Sequence, residues 1–183
     1  MRKVIVLAIL AIFILPDSKL SAQESGTYKN IVGINPLGIA FNIYSVHYSR
    51  IMNDGNAEIN IPFFYWNEPF EFEGLSFIGL GAKYRIYKDG HNKGVFYGGG
   101  ISIISLSWDY TLFSSVEENI TATTFIPLVE IGYRINWDNG FTLAPDLELG
   151  YSVGTVEASD GSEPDFGSVG MFFGIGIGGA WRF

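Results

Sequence analysis

The sequence predicts an all-β fold, a closed up-and-down antiparallel transmembrane β-barrel of eight strands. Three observations predict it. Apolar and polar residues alternate along most segments, the period of strands with two unlike faces, and do not recur at helical spacing. Compact turn signals separate these segments: Asn53-Asp54-Gly55-Asn56, Lys88 through Gly94, and Trp137-Asp138-Asn139-Gly140. Their Asp-Gly and Asn-Gly pairs supply the positive φ that tight hairpins require. The chain is also 48% hydrophobic and 16% aromatic, yet no apolar run reaches the roughly 18 residues of a transmembrane helix. Only helices and closed barrels satisfy every backbone polar group in lipid, so the strands are left to do the crossing.

The elements follow in order. Residues 1–22 read as a signal peptide: Arg2 and Lys3 precede an apolar run from Val4 to Leu15, Pro16 breaks it, and cleavage follows Ala22. Residues 23–183 form the barrel domain, which contains no Cys and so uses neither disulfides nor thiolate metal sites. Its strands are expected at 29–35, 39–52, 57–64, 75–87, 95–107, 121–136, 141–153 and 168–183. Asn35-Pro36-Leu37-Gly38 makes the first turn, and longer polar stretches lie at 65–74, 109–119 and 154–167. Short turns alternating with long loops are the layout of bacterial outer-membrane barrels, with both termini on the periplasmic side. Pro62, Pro127 and Pro145 fall inside strands. Proline cannot donate to a ladder, so bulges or shorter strands are expected there.

Strand parity assigns the faces. Ile78, Leu80, Ala82, Tyr84 and Ile86 share one side of the fourth strand, opposite Gly79, Gly81, Lys83 and Arg85. The sixth, seventh and eighth strands repeat the division, with glycines and charges together on one side. A glycine-rich face suits a narrow, filled interior, so the charged face is read as the inside. That interior holds Glu58, Glu130, Asp146 and Glu148 against Lys83, Arg85, Arg134 and Arg182. Buried charges must be paired, and these eight are expected to form an ion-pair network that plugs the barrel.

The full chain carries a net charge of −8. Arg2, Lys3 and Lys19 against Asp17 give residues 1–22 a net +2, which leaves −10 on residues 23–183. Glu68, Glu71, Glu73, Asp109, Glu117, Glu118, Glu157, Asp160, Glu163 and Asp165 lie in the three long polar stretches and account for the whole excess. Acidic loops offer a surface to an extracellular ligand, a basic partner or a divalent cation, although Asp160-Gly161-Ser162-Glu163-Pro164-Asp165 only approaches a calcium loop. An acidic exposed surface argues against nucleic acid.

The segment from Gly174 to Phe183 resembles the C-terminal signal of outer-membrane barrels, in which a terminal Phe follows apolar residues at alternate positions. Ile175, Ile177, Trp181 and Phe183 match it, and Gly179 departs. The resemblance implies recognition by the barrel-assembly machinery. With Asn35-Pro36-Leu37-Gly38 and Tyr48-Ser49-Arg50, the chain resembles the broad group of small barrels described as outer membrane protein beta-barrel domain. That likeness implies an integral protein of the cell outer membrane, in contact with its lipid, and no particular activity.

No cofactor or metal motif is present, and the chain reads as a non-enzymatic barrel with a structural or surface-binding role. A narrow channel for ions or small solutes is the alternative. A third reading, a lipid A-modifying enzyme, rests on His47 between Ser45 and Ser49, which resembles the His-x-Ser pair of the outer-membrane lipid A deacylases. A hydrolytic triad needs His as base for a Ser hydroxyl and a carboxylate to orient it, and parity turns this His toward the interior, away from a lipid substrate.

Overall fold

A computed structural model describes residues 28–69, 72–112, 116–158 and 170–183. The proposed signal peptide, Glu71 and the stretch containing Asp160, Glu163 and Asp165 lie outside these residues. These residues form nine strands: β1 (Asn30–Ile34), β2 (Ile43–Met52), β3 (Ala57–Asn67), β4 (Leu75–Tyr87), β5 (Gly94–Leu112), β6 (Val116–Asn136), β7 (Phe141–Tyr151), β8 (Val153–Ala158) and β9 (Met171–Arg182). Two single 3-10 turns, Gly38–Phe41 and Asn53–Gly55, complete the regular structure.

All pairings are antiparallel. Each strand from β1 to β6 pairs with the next, β7 pairs with β9, and β9 closes on β1, where Ile31 faces Arg182 and Ile34 faces Gly179. The ring is a closed eight-stranded barrel. β8 lies outside it and prolongs β7 along β6: Leu128 faces Gly150 and Phe125 faces Val153, the same register on both sides of Ser152.

The prolines leave gaps in the ladder, not bulges. Pairing of β3 with β4 skips Ile61 and Pro62 but resumes unshifted, Asn60 facing Lys83 and Phe63 facing Leu80. Pairing of β6 with β7 skips the residues opposite Ala144 and Pro145, again unshifted. The interruption between β7 and β8 faces Ile126 and Pro127. A missing donor costs local hydrogen bonds, whereas a changed register would turn every later side chain to the wrong face.

Other expectations need correction. Residues 109–119, read as a loop, are mostly paired: Asp109 faces Asn119 and Leu112 faces Val116. Residues 154–158 belong to β8, and β3 runs on to Asn67. The second strand begins at Ile43, because residues 38–41 form a 3-10 turn ending on Asn42 at φ 60°.

Burial alternates with parity. In β4, Gly79, Gly81, Lys83, Arg85 and Tyr87 are buried, while Ile78, Leu80, Ala82, Tyr84 and Ile86 are exposed. The apolar side faces out around the ring, with Val129, Ile131, Leu147, Leu149, Phe173 and Ile175 all exposed. Inside, glycines make room for bulky neighbours on the adjoining strand. A Cβ on Gly132 would meet the Phe96 ring, and one on Gly79 would lie 2.6 Å from Phe64 Cζ.

Candidate functional site

The interior charges come from four strands. Glu58 is the second residue of β3, Lys83 and Arg85 stand near the end of β4, Glu130 and Arg134 in the last third of β6, and Asp146 and Glu148 in the middle of β7. All lie toward the short-turn end. The pairing aligns them across the wall: Glu58 faces Arg85, and Glu130 faces Glu148.

Glu58 is fully buried and anchors the network. Its carboxylate accepts from both terminal nitrogens of Arg134, with Nη2 at 3.2 Å, and from Arg85 Nη1 at 3.3 Å. Tyr87 donates its hydroxyl to it at 2.7 Å and Asn92 its amide at 2.8 Å. Arg85 also grips Glu130 bidentately, Nε at 2.7 Å and Nη2 at 3.0 Å, the geometry in which guanidinium and carboxylate bind best. Lys83 bridges Glu130, at 3.3 Å, and Glu148. Aromatic faces complete the cation sites: Arg85 lies 4.7 Å from the Phe96 centroid and Arg134 5.5 Å from that of Tyr87.

Seven of the eight expected residues, Glu58, Lys83, Arg85, Glu130, Arg134, Asp146 and Glu148, thus share one space. Arg182 does not. It ends β9 at the rim, where Nη2 donates to the Trp137 carbonyl at 2.9 Å and the guanidinium lies 4.8 Å from the Tyr28 centroid. Among the described residues the network therefore holds four carboxylates and three cations, a balance of −1 and not the expected neutrality.

Two partners escaped the sequence reading. Tyr87 shares the parity of Lys83 and Arg85, and that parity was the signal for it. Asn92 belongs to the β4–β5 turn and carried no signal; the turn folds across the barrel end and buries it. Arg134 Nη1 donates to Asn92 Oδ1 at 2.9 Å, Asn136 Nδ2 to the Asn92 carbonyl at 2.8 Å, and the Asn92 amide to the Gly55 carbonyl at 2.7 Å.

The network is sealed at that end and wetter at the other. Side-chain exposure is 0% for Glu58 and 1% for Arg134, but 10% for Asp146 and 18% for Glu148. His47 also faces the interior, half-buried beside Gly33 and Gly178. The Ser45 hydroxyl accepts from the Asn35 amide and the Ser49 hydroxyl from Asn60 Nδ2; neither is hydrogen-bonded to His47. Ile175, Ile177 and Trp181 lie on β9 and Phe183 just after it. Ile175, Trp181 and Phe183 are exposed on the outside.

The fold and site define a class: a closed antiparallel barrel with ion pairs inside and an apolar surface outside. Comparison with models of known families, with curated proteins and with solved structures gives no match.

Proposed function

We propose that the chain is an integral outer-membrane β-barrel without enzymatic activity, stoppered near its short turns and presenting acidic loops at the other end. The observation that carries this reading is the inversion of its faces. Seven charged side chains fill the interior, while Val129, Phe173 and Ile175 are 60, 64 and 71% exposed outside. A monomer in water rarely exposes so continuous an apolar surface, whereas lipid accepts one. Tyr84, Tyr97, Tyr133 and Trp181 toward the short turns, with Tyr44, Tyr65 and Tyr151 toward the other rim, are all exposed, as interfacial girdles are. No helix among the described residues is long and apolar enough to cross a membrane. On this reading residues 1–22 direct export, the C-terminal strand engages the assembly machinery, and the outer face meets outer-membrane lipid.

The full chain, expressed in a double-membrane bacterium, tests the proposal. The expected product fractionates with the outer membrane, has the mass of residues 23–183, and migrates differently on a denaturing gel before and after boiling. A soluble monomer in the periplasm or cytoplasm overturns it. A narrow channel is the second reading, favoured by the partly solvated Asp146 and Glu148 and opposed by the closure at Glu58, Arg134 and Asn92. Conductance in a planar bilayer separates the two.

A further inference from the structure

We propose that Glu130, Asp146 and Glu148 hold a single monovalent, sodium-sized metal cation inside the barrel. Three independent observations converge on it. One carboxylate oxygen from each residue lies within 4.8 Å of the other two. Oxygens held about 2.4 Å from one ion lie no more than about 4.8 Å apart, so the spacing suits a bare hard cation. Second, Asp146 is left out of the hydrogen bonding. Its side chain is nine-tenths buried, Oδ1 has no partner, and the nearest cation to Oδ2 is Arg85 Nη2 at 3.9 Å. Lys83 is engaged with Glu130 and Glu148, and the other Arg85 nitrogens with Glu58 and Glu130.

Third, the charge count selects the valence. Among the described residues Lys83, Arg85 and Arg134 face Glu58, Glu130, Asp146 and Glu148, one positive charge short, and His47 and Tyr87 are further titratable side chains on this inner wall near them. An uncompensated buried carboxylate is strongly unfavourable. A monovalent ion restores neutrality, and a divalent ion overshoots it. The side of approach is the wetter one, marked by the side-chain exposure of Glu148 and Asp146, 18 and 10%. The topology gathers the three acidic connections at that end, and a field of one sign concentrates counter-ions at such a mouth. The site rests on the barrel interior alone and stands or falls apart from the lipid-facing reading.

The test uses the folded protein in detergent, melted in sodium chloride and in N-methylglucamine chloride at equal ionic strength. The expected result is a saturable rise in melting temperature with sodium, on the order of 3 °C when the site is full. Asp146→Asn removes the excess charge and is expected to abolish the difference. Should that variant not fold, sodium-23 line broadening on the unaltered protein, reversed by lithium, reads the same site. Equal melting in both salts with no line broadening means that a proton neutralises Asp146, and overturns the proposal. A response to calcium but not to sodium overturns it equally.

Discussion

At the residue scale, Glu58 is where the interior is most committed. Five donors converge on its carboxylate, and the four residues that supply them, Arg85, Tyr87, Asn92 and Arg134, are all buried. Glu58→Gln keeps the shape but leaves Arg134 and Arg85 with an uncompensated buried charge. The expected loss is about 3–5 kcal/mol, read from urea unfolding of the protein folded in detergent. Glu58→Gln with Arg134→Met removes both halves of the main pair and is expected to recover more than half of that loss. A single-variant cost below about 1 kcal/mol, the range of an exposed pair, contradicts this account of the network. Gly132→Ala probes the fit by volume: its methyl meets the Phe96 ring, already held by Arg85, and overpacking of this kind costs about 1–3 kcal/mol. Glu58 was legible because strand parity alone sets it opposite the apolar face of Ile59, Ile61 and Phe63. Arg182 has the same parity, yet it is the last residue of β9 and its long side chain reaches the Trp137 carbonyl at the rim. Parity assigns a side, and height along the strand decides the partner.

At the element scale, the β4–β5 turn is a working part of the barrel end. His91 and Asn92 both adopt left-handed backbone, at φ 57° and 53°, between Gly90 at 67° and Gly94 at 77°. That run carries the chain back under the barrel and delivers Asn92 to Glu58 and Arg134. Gly55 permits the approach, since a Cβ there would lie 2.7 Å from the His91 Cα. Asn92→Ala withdraws an amide from two buried charged groups and puts a poorer residue at positive φ. The expected loss is about 1–3 kcal/mol, with faster amide exchange at the end of β6. His91 is exposed and makes no side-chain hydrogen bond among the described residues, so His91→Gly sets relieved strain against a more flexible unfolded chain and is expected to stabilise by about 0.5–1 kcal/mol net in the same unfolding assay. The turn's existence was written in its Asp-Gly pair; its inward fold depends on contacts with residues 34 or more positions away and left no local mark. Residues 109–119 failed to read as strand for a related reason. Asp109-Tyr110-Thr111-Leu112 and Val116-Glu117-Glu118-Asn119 lack the regular alternation that identifies a strand, while the ladder between them continues.

At the scale of the whole molecule, alternation leaves two barrels open, one with its apolar face inward and one inverted. The choice follows from what fills the middle. A narrow ring cannot pack Val129, Leu149 and Phe173 inside and also place Arg85, Glu130 and Lys83 where they pair across strands, because one face excludes the other. The structure puts the ion pairs within, and the outer surface then has to meet a solvent that tolerates it. Arginine at two heights identifies that solvent. Val129 sits midway between the exposed Phe125 and Tyr133 along β6, facing Gly99 and Leu149, and Tyr133 lies four residues nearer the short turn. In a bilayer, Val129→Arg is expected to cost about 2–4 kcal/mol and Tyr133→Arg only about 0–1 kcal/mol, because the penalty falls with distance from the midplane. Reversible folding into lipid vesicles in urea measures both. If the outer face meets water, neither arginine is buried, and both changes fall within about 0.5 kcal/mol of the parent with no dependence on height. The difference between the two sites, not the size of either loss, carries the information: a general defect in folding lowers both together, and only a membrane grades them by depth.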